Sequence, residues 1–436
     1  MAGPVNEKTK MLDWLLGFSD AARGVGWNAR SNPSLEWNLR RTRVLLDLLG
    51  RPDRQLVVVL IAGTKGKGST AALLASLLAA SGVRAGLFTK PHLQSYRERV
   101  RVDGEAISST DLDARIAELR PHVAAMHRLL PDAGQPTTFE LTTALALAHF
   151  AVRGCAVAVV EVGLGGRFDA TNATDPHVSV ITPISHDHMR ELGTSVRGIA
   201  SEKAGVLRPG RVAVLARQSA AVATVLRKAA AAVAAVAREV APLSATVATH
   251  YGLALRGAHQ RQNAAVAIAA ARALAEHGIA FRENAIGPGL RQLRWPGRFE
   301  LVPGRPAVVL DGAHNDGSAE ALADAIRAEA PRQRVRLIVG MMRDKDARAV
   351  ARALAPVASA VYATRPASPR AAAPATIARL YRRVPSRAFD NLANALSAAR
   401  ADAAPDEMLC VTGSFALVGQ ARELLGLSVL ETLWDR

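Results

Sequence analysis

One run of eight residues carries the clearest chemistry in the chain: Gly63-Thr64-Lys65-Gly66-Lys67-Gly68-Ser69-Thr70. Its glycines let the backbone turn N–H groups inward around an anion, and a helix starting at the end of the run adds partial positive charge. Lys67 is placed to reach terminal phosphates, and Ser69 to offer its hydroxyl to Mg2+. The chain is rich in arginine and poor in lysine, yet two lysines fall close together here. The spacing departs from a standard Walker A loop because Gly68 stands between the lysine and the hydroxyl. The bland alternative is a glycine-rich turn with chance lysines.

A phosphate loop needs acidic or imidazole partners to complete a Mg2+ shell. Glu161 lies near the end of the apolar run CAVAVVEVG (155–163). It is followed by GLGGRFDATN (163–172), a glycine-rich turn that neither helix nor strand periodicity explains. His186, Asp187 and His188 follow HVSVITPI (177–184) in the same way. Residue type does not choose which of the three is a metal ligand and which a loop hydrogen-bonder. Lys203, in SVRGIASEKAGV, reads by type alone as a surface lysine paired with a nearby glutamate, worth ~0–1 kcal/mol. Thr137-Thr138-Phe139-Glu140 fits a capping box, so Glu140 reads as a structural acid.

Short apolar runs and helical stretches alternate around these residues. QLVVVLIAG (55–63) predicts a buried strand, STAALLASLLAASG (69–82) a helix with a terminal glycine, and RAGLFT (84–89) the next strand, together a βαβ unit of a parallel sheet. The pattern continues as a helix over 137–154, strands over 155–163 and 177–184, a helix over 195–210 and a strand over 211–216. The alanine-rich residues 219–240 predict a helix, and HQRQNAAVAIAAARALAEHG (259–278) another. WPGRFE (295–300) breaks the alternation, and PAVVLDGAH (306–314) starts a second series that VRLIVG, SAVYAT and MLCVTG continue. The fold class is therefore α/β with mostly parallel sheets. A larger P-loop domain, 1–296, precedes a smaller Rossmann-like one, 297–436, and no internal repeat is present. Ligands of open α/β sheets bind off the carboxyl ends of the strands, which puts Glu161 at the same edge as the phosphate loop.

The formal charge is +17, almost all from arginine. The basic residues are dispersed and aromatics are sparse, so nucleic-acid stacking platforms are not expected. A general attraction for anionic substrates is enough. No apolar stretch reaches the ~18–20 residues that span a bilayer. The N-terminal residues lack the apolar segment of a signal peptide, so a cytoplasmic protein without a membrane partner is expected. Cys155 and Cys410 both sit in apolar runs and read as small buried hydrophobes rather than a disulfide or zinc site.

Taken in order, these segments resemble the folylpolyglutamate synthase and dihydrofolate synthase family, relatives of the Mur ligases. The matching pieces are GTKGKGST (63–70), PHLQSYRERVRV (91–102), TTFELTT (137–143), EVGLGGRFDATN (161–172), ITPISHDHMRELG (181–193), IASEKAGVLRPG (199–210), HQRQNAA (259–265), WPGRFE (295–300), DGAHN (311–315) and GSFALVG (413–419). They span nearly the whole chain. The resemblance implies that Lys67 and the loop amides of Gly63, Thr64, Lys65, Gly66, Gly68, Ser69 and Thr70 hold ATP phosphates. It implies that Ser69 and Glu161 ligate one Mg2+, and that Glu161 and His188 ligate a second. Lys203 matches a lysine that the family carbamylates, which replaces the surface reading above. Asn263 would read adenine, Arg298 would contact phosphates, and Asp311 and His314 would reach the nucleotide from the second domain. The pterin would lie near Pro91, His92, Leu93 and Phe139. Lys90 departs from the family, which usually has serine before Pro-His-Leu, and Lys65 replaces a common asparagine.

The implied reaction activates a folate-type carboxylate with ATP as an acyl phosphate, which the amine of L-glutamate then attacks. The segment PHLQSYRERVRV resembles bacterial members that use both dihydropteroate and tetrahydrofolate. Monomer is the state the family implies. Two rivals stand beside this reading: a Mur-type ligase acting on another carboxylate, and a P-loop protein that binds nucleotide without ligating anything.

Overall fold

The computed structural model describes residues 10–19, 36–186, 189–331 and 334–434. Fourteen strands form two sheets. The first sheet contains β1 (Val57–Ala62), β2 (Ala85–Phe88), β3 (Val100–Val102), β4 (Glu105–Ala106), β5 (Val157–Glu161), β6 (Val178–Ile181), β7 (Val212–Ala216) and β8 (Val236–Val240). Their spatial order is β4-β3-β2-β5-β1-β6-β7-β8. The neighbours from β2 to β8 run parallel, and β3 and β4 are antiparallel additions at one edge. The second sheet contains β9 (Glu300–Val302), β10 (Ala307–Leu310), β11 (Val335–Val339), β12 (Ala358–Ala363), β13 (Ser386–Ala388) and β14 (Met408–Thr412), in the order β13-β12-β11-β14-β10-β9. Only β9 runs antiparallel there.

β1 reads VVVLIA because both of its faces are covered. Val59 and Ile61 enter one apolar core and Val58, Leu60 and Ala62 the other. Full burial of each Leu or Ile contributes roughly 1.5–3 kcal/mol. The helix Lys67–Ala80 is apolar almost all round because it lies between this sheet and the helices Ala258–Ala273 and Ile286–Gln292. Its fit to the latter is tight: a Cβ on Gly289 would stand 2.8 Å from Leu77 Cα, and Ser76 Oγ donates to Gly289 O at 2.7 Å. Register then does the positioning. Ile61 pairs with Glu161 and Ala62 with Ile181, so the segments after β1, β5 and β6 leave the sheet side by side.

Two sequence expectations need correction. Residues 219–240 are not one helix: the helix Ala220–Ala232 ends, Ala234 adopts φ 51, and VAREV forms the edge strand β8 beside β7. VAREV carries no apolar–polar alternation to mark it as a strand, and the charged Arg238 and Glu239 suit an exposed edge. The helix expected over 195–210 is confined to Val196–Ala204. The last described residues do not stay with the second sheet. Leu433 and Trp434 pack into the first core, Arg294 N donates to Leu433 O at 2.7 Å, and Leu433 N donates to Gly104 O at 3.2 Å.

The cysteines are buried as expected, and burial pushes the Cys155 thiol up to about 12. Among the described residues no helix is long and apolar enough to cross a membrane. Glu140 is structural, as the capping box suggests. Thr137 Oγ1 accepts from Glu140 N and donates to Glu140 Oε1. The carboxylate itself is gripped by the buried Arg41, whose Nε and Nη2 each lie 2.7 Å from its oxygens, while Arg41 Nη1 donates to Ala133 O. This pair fixes the start of the helix that carries Phe139. Arg41→Met leaves Glu140 buried and unpaired and is expected to cost about 3–5 kcal/mol by urea unfolding. Arg41→Met with Glu140→Leu should recover most of that loss, and a double variant as unstable as the single one would contradict this account.

Candidate active site

β1 stops at Ala62, and the helix Lys67–Ala80 starts after a turn that side chains would block. Gly63 has φ +144 and Gly66 φ +82. A Cβ on Gly63 would lie 1.9 Å from Thr182 Oγ1, and one on Gly66 would lie 2.2 Å from Asn263 Oδ1. The turn is tied to the segment after β6. Thr64 N and Lys65 N donate to Pro183 O, Thr64 Oγ1 donates to Ser185 O, and Ser185 N donates back to Thr64 Oγ1. No side chain caps the helix at Gly66, so its first amides are left for an anion. The buried Thr70 hydroxyl and the Trp295 indole N–H have no hydrogen-bond partner among the described residues. A nucleotide phosphate fits this cradle of bare glycines, open amides and one unused hydroxyl.

Two ammonium groups meet at one carbonyl. Lys67 Nζ donates to Gly63 O at 3.0 Å, and Lys203 Nζ donates to the same oxygen at 2.8 Å. Lys203 is 5 % exposed, which overturns the surface reading of its residue type. The glycine-rich turn after β5 explains how it arrives there. Gly166 lies so close that a Cβ would be 3.0 Å from Lys203 Cα, Arg167 N donates to Glu202 O, and Asn172 Nδ2 bonds Gly205 O at 3.1 Å. Asp169 closes this turn by accepting from Leu164 N, Thr171 N and Thr171 Oγ1. Sequence reasoning gave Asp169 and Asn172 no role, although both stand within the unexplained GLGGRFDATN run.

Glu161 is buried at the end of β5. Its Oε2 lies 3.2 Å from where a Cβ on Gly68 would be, and it accepts from Lys90 N at 3.1 Å. Burial raises its pKa, opposed by the nearby Lys67 and Lys90 charges. Burial, then the Lys67 charge, lowers Lys90 to about 8. The loop beginning at Lys90 is held from below, since Glu98 accepts from Leu93 N, Gln94 N and Ser95 N. His92 Nδ1 accepts from Arg99 Nε, and burial lowers the imidazole to about 3. Phe139 stacks on Phe88 with centroids 5.7 Å apart and abuts Gly163. Pro91, His92 and Leu93 follow directly on Lys90, whose N bonds Glu161, and Phe139 abuts the turn after Glu161.

The second sheet supplies the far wall. Lys65 Nζ lies against Gly317, at the start of the helix Asp316–Glu329, so closely that a Cβ there would be 1.4 Å away. Arg298 lies over the Phe415 ring at 4.2 Å, near Glu161 and Asp311, and burial lowers its pKa. Asp311 accepts from Phe299 N and Ala313 N, which ties the residue before β9 to the segment after β10. His314 Nδ1 bonds Gly312 O, and its ring packs edge-on against Phe415. Asn263 is buried, with Nδ2 donating to Gln260 Oε1, and faces Gly66. His188 and Asp187 lie outside the described residues, and His186 is exposed.

Residues 61–271 match the Mur ligase middle domain and residues 297–415 the Mur ligase glutamate ligase domain. The chain is 34% identical over 346 residues to the dihydrofolate synthase/folylpolyglutamate synthase of Bacillus subtilis (strain 168), covering 74% of this chain and 80% of that protein. The chain belongs to the dihydrofolate synthase/folylpolyglutamate synthase family. Its fold is similar to Mycobacterium tuberculosis folylpolyglutamate synthase complexed with ADP and AMPPCP, with TM-score 0.83 and 35% identity over 89% of this chain and 96% of that one. It is equally similar to Escherichia coli FolC in complex with DHPP and ADP, with TM-score 0.83 and 31% identity over 96% and 98% of the two chains. The eight-stranded, mostly parallel sheet and the mixed six-stranded one are the architecture expected of this family.

A glycine-only turn gives a direct test of the cradle. Gly63→Ala should weaken Mg-ADP binding at least ~100-fold in a calorimetric titration, because the new methyl must displace Thr182 or the loop. Unchanged ADP affinity in a folded Gly63→Ala variant would show that the loop does not hold phosphate.

Proposed function

We propose that this chain ligates L-glutamate to a folate-type carboxylate, with ATP supplying an acyl-phosphate intermediate. One observation carries the reading: Glu161 touches both the phosphate loop, at Gly68, and the acceptor-side loop, at Lys90 N. An ATP γ-phosphate and an acceptor carboxylate would therefore meet beside it. In this reading the amides of residues 63–70 and Lys67 hold the β- and γ-phosphates. Asn263 reads adenine, and Arg298, Asp311 and His314 complete the nucleotide site. Pro91, His92, Leu93 and Phe139 border the acceptor. Ser69, Glu161 and His188 are assigned to Mg2+; hydroxyl and carboxylate oxygens suit this hard cation, and the imidazole is a less usual ligand for it. When bound, the metal would offset charge on the transferring phosphoryl group.

The acceptor carboxylate oxygen attacks the γ-phosphorus, ADP leaves, and a mixed anhydride forms. The amine of glutamate then attacks the acyl carbon, phosphate leaves, and one proton is released as the amide forms. The residues of this chain bring the anions together and keep water from the anhydride. A cavity of about 600 Å3 at the carboxyl ends of β11, β12 and β13, lined by Arg343, Arg365, Asp390, Asn391 and Gln420, supports glutamate entering from the second sheet. We divide the chain at 296/297 into an ATP-binding half and a glutamate ligase half, and take the monomer as the working unit.

The deciding experiment incubates the protein with Mg-ATP and glutamate, separately with dihydropteroate and tetrahydrofolate, and weighs the products. One glutamyl unit added to each acceptor establishes the bifunctional enzyme, and ATP consumption without amide product from either acceptor sinks the reading. Lys67→Ala should abolish turnover while leaving the melting temperature within a few degrees, and near-full activity would refute its phosphate role.

We also propose that Lys203 is carbamylated in the working enzyme, its amine adding to CO2 with loss of a proton, so that a buried cation becomes a carboxylate-like group near the metals. Lys203→Ala should then regain part of its lost activity when short carboxylic acids are added. Failure of every acid tried, together with a bare Lys203 in crystals grown with bicarbonate, would exclude the carbamate.

A further inference from the structure

The motif GSFALVG (413–419) lies in the second half of the chain, and nothing above gives its last glycine a role. The helix Phe415–Leu424 packs its Gly419 against the acceptor-side loop. A Cβ on Gly419 would stand 2.1 Å from Leu93 O and 2.9 Å from Leu93 C. The obstacle is backbone, and that backbone is already pinned from below by the Glu98 carboxylate. The loop therefore cannot retreat without breaking three hydrogen bonds from its amides to Glu98.

One turn further along the same helix, Arg422 is 1 % exposed. A buried guanidinium is costly unless every edge is engaged. Arg422 Nη1 is bonded to Glu300, Nη2 donates to Glu431 Oε1 at 2.6 Å and to Ser428 O at 3.0 Å, and Nε donates to Gln94 Oε1 at 2.9 Å. Of these partners only Gln94 belongs to the acceptor-side loop. The bond to its oxygen settles which way its amide faces. Among the described residues Gln94 Nε2 has no hydrogen-bond partner, nor have Arg101 Nε and Trp295 Nε1, and all three residues line one small cavity with Pro91, Leu93 and Arg298. The tail completes the tie: Arg101 Nη1 donates to Glu431 O at 2.8 Å, so Glu431 links the first sheet to Arg422.

We propose that Gly419 and Arg422 are positioning residues for acceptor binding: Gly419 seats the Leu93 carbonyl, and Arg422 sets the Gln94 amide. The second half of the chain then controls the acceptor-side loop through two contacts and without touching the acceptor. This inference rests on the ligase reading above.

The test is steady-state kinetics on the full chain with Mg-ATP, glutamate and dihydropteroate, comparing Gln94→Leu, Gly419→Ala and Arg422→Lys with the unaltered protein. Each substitution should lower kcat/KM for the acceptor about tenfold or more, with KM for ATP within about twofold, since a small misplacement of a reacting group is costly while the nucleotide site is untouched. Arg422→Lys keeps the charge between Glu300 and Glu431 but loses the planar fork that reaches Gln94. Combined with Gln94→Leu it should therefore be less than additive. Gln94 is a half-buried loop residue, so Gln94→Leu decides the matter if either helix variant fails to fold. Acceptor kinetics unchanged in Gln94→Leu, or acceptor and ATP parameters falling together in all variants, would overturn the inference. Absence of any glutamylated product from the unaltered protein would instead overturn the ligase reading itself.

Discussion

The Gly63 carbonyl is the point on which the site depends. Two lysine ammonium groups, from sequence positions 67 and 203, lie within 3.0 Å of that one oxygen. Like charges so close repel; the carbonyl oxygen accepts from both, and the buried Glu161 carboxylate lies near Lys67. It also needs a residue without a side chain. A Cβ at Gly63 would strike Thr182, and the turn that presents the carbonyl would be lost. The same bare backbone that collects the cations also turns the following amides outward. A phosphate brought to this loop meets donors already in place, so little reorganisation is needed when charge develops during transfer.

Much of the site follows from sheet register. Parallel pairing of Ile61 with Glu161 and of Ala62 with Ile181 is enough to bring the phosphate loop, Glu161 and the segment after β6 to one edge. That convergence was legible in the sequence, because continuous apolar runs mark central strands and chemistry-bearing residues follow each run. Lys203 was not legible by residue type. Nothing in ASEKAG says that its helix is pressed onto the turn 163–172, and only the close approach of Gly166 and the Asn172 bonds put the ammonium inside. Resemblance to a family found it where periodicity could not. The strand β8 was missed for a different reason: VAREV does not alternate apolar with polar residues, so after a long alanine run nothing separates it from helix.

Long-range polar contacts were the least legible feature. Arg41 with Glu140 and Arg422 with Gln94 join residues far apart in the chain, and no local spacing announces either pair. Glu140 shows how a local rule can be right and still incomplete. The capping pattern named its structural role, but the carboxylate's main partner comes from a helix about a hundred residues earlier. Buried arginines of this kind are the expected cost of fitting polar loops between two sheets, because each must find every partner within the fold.

The relation between the two sheets follows from the same logic. A ligase must hold nucleotide, acceptor and amine together long enough for an anhydride to survive, and no single sheet edge offers three walls. Here the second sheet approaches the glycine-rich loop through Lys65 and Gly317, Glu161 through Arg298 and Asp311, and residues 93–94 through Gly419 and Arg422. The tail returns to the first core at Leu433 and Trp434, which closes the arrangement covalently as well as by packing. Each of these approaches uses a glycine or a buried arginine. Glycine allows backbone to meet backbone or a lysine tip with no side chain between, and arginine spans the remaining gap with a rigid fork. The halves therefore register against each other through a few defined contacts.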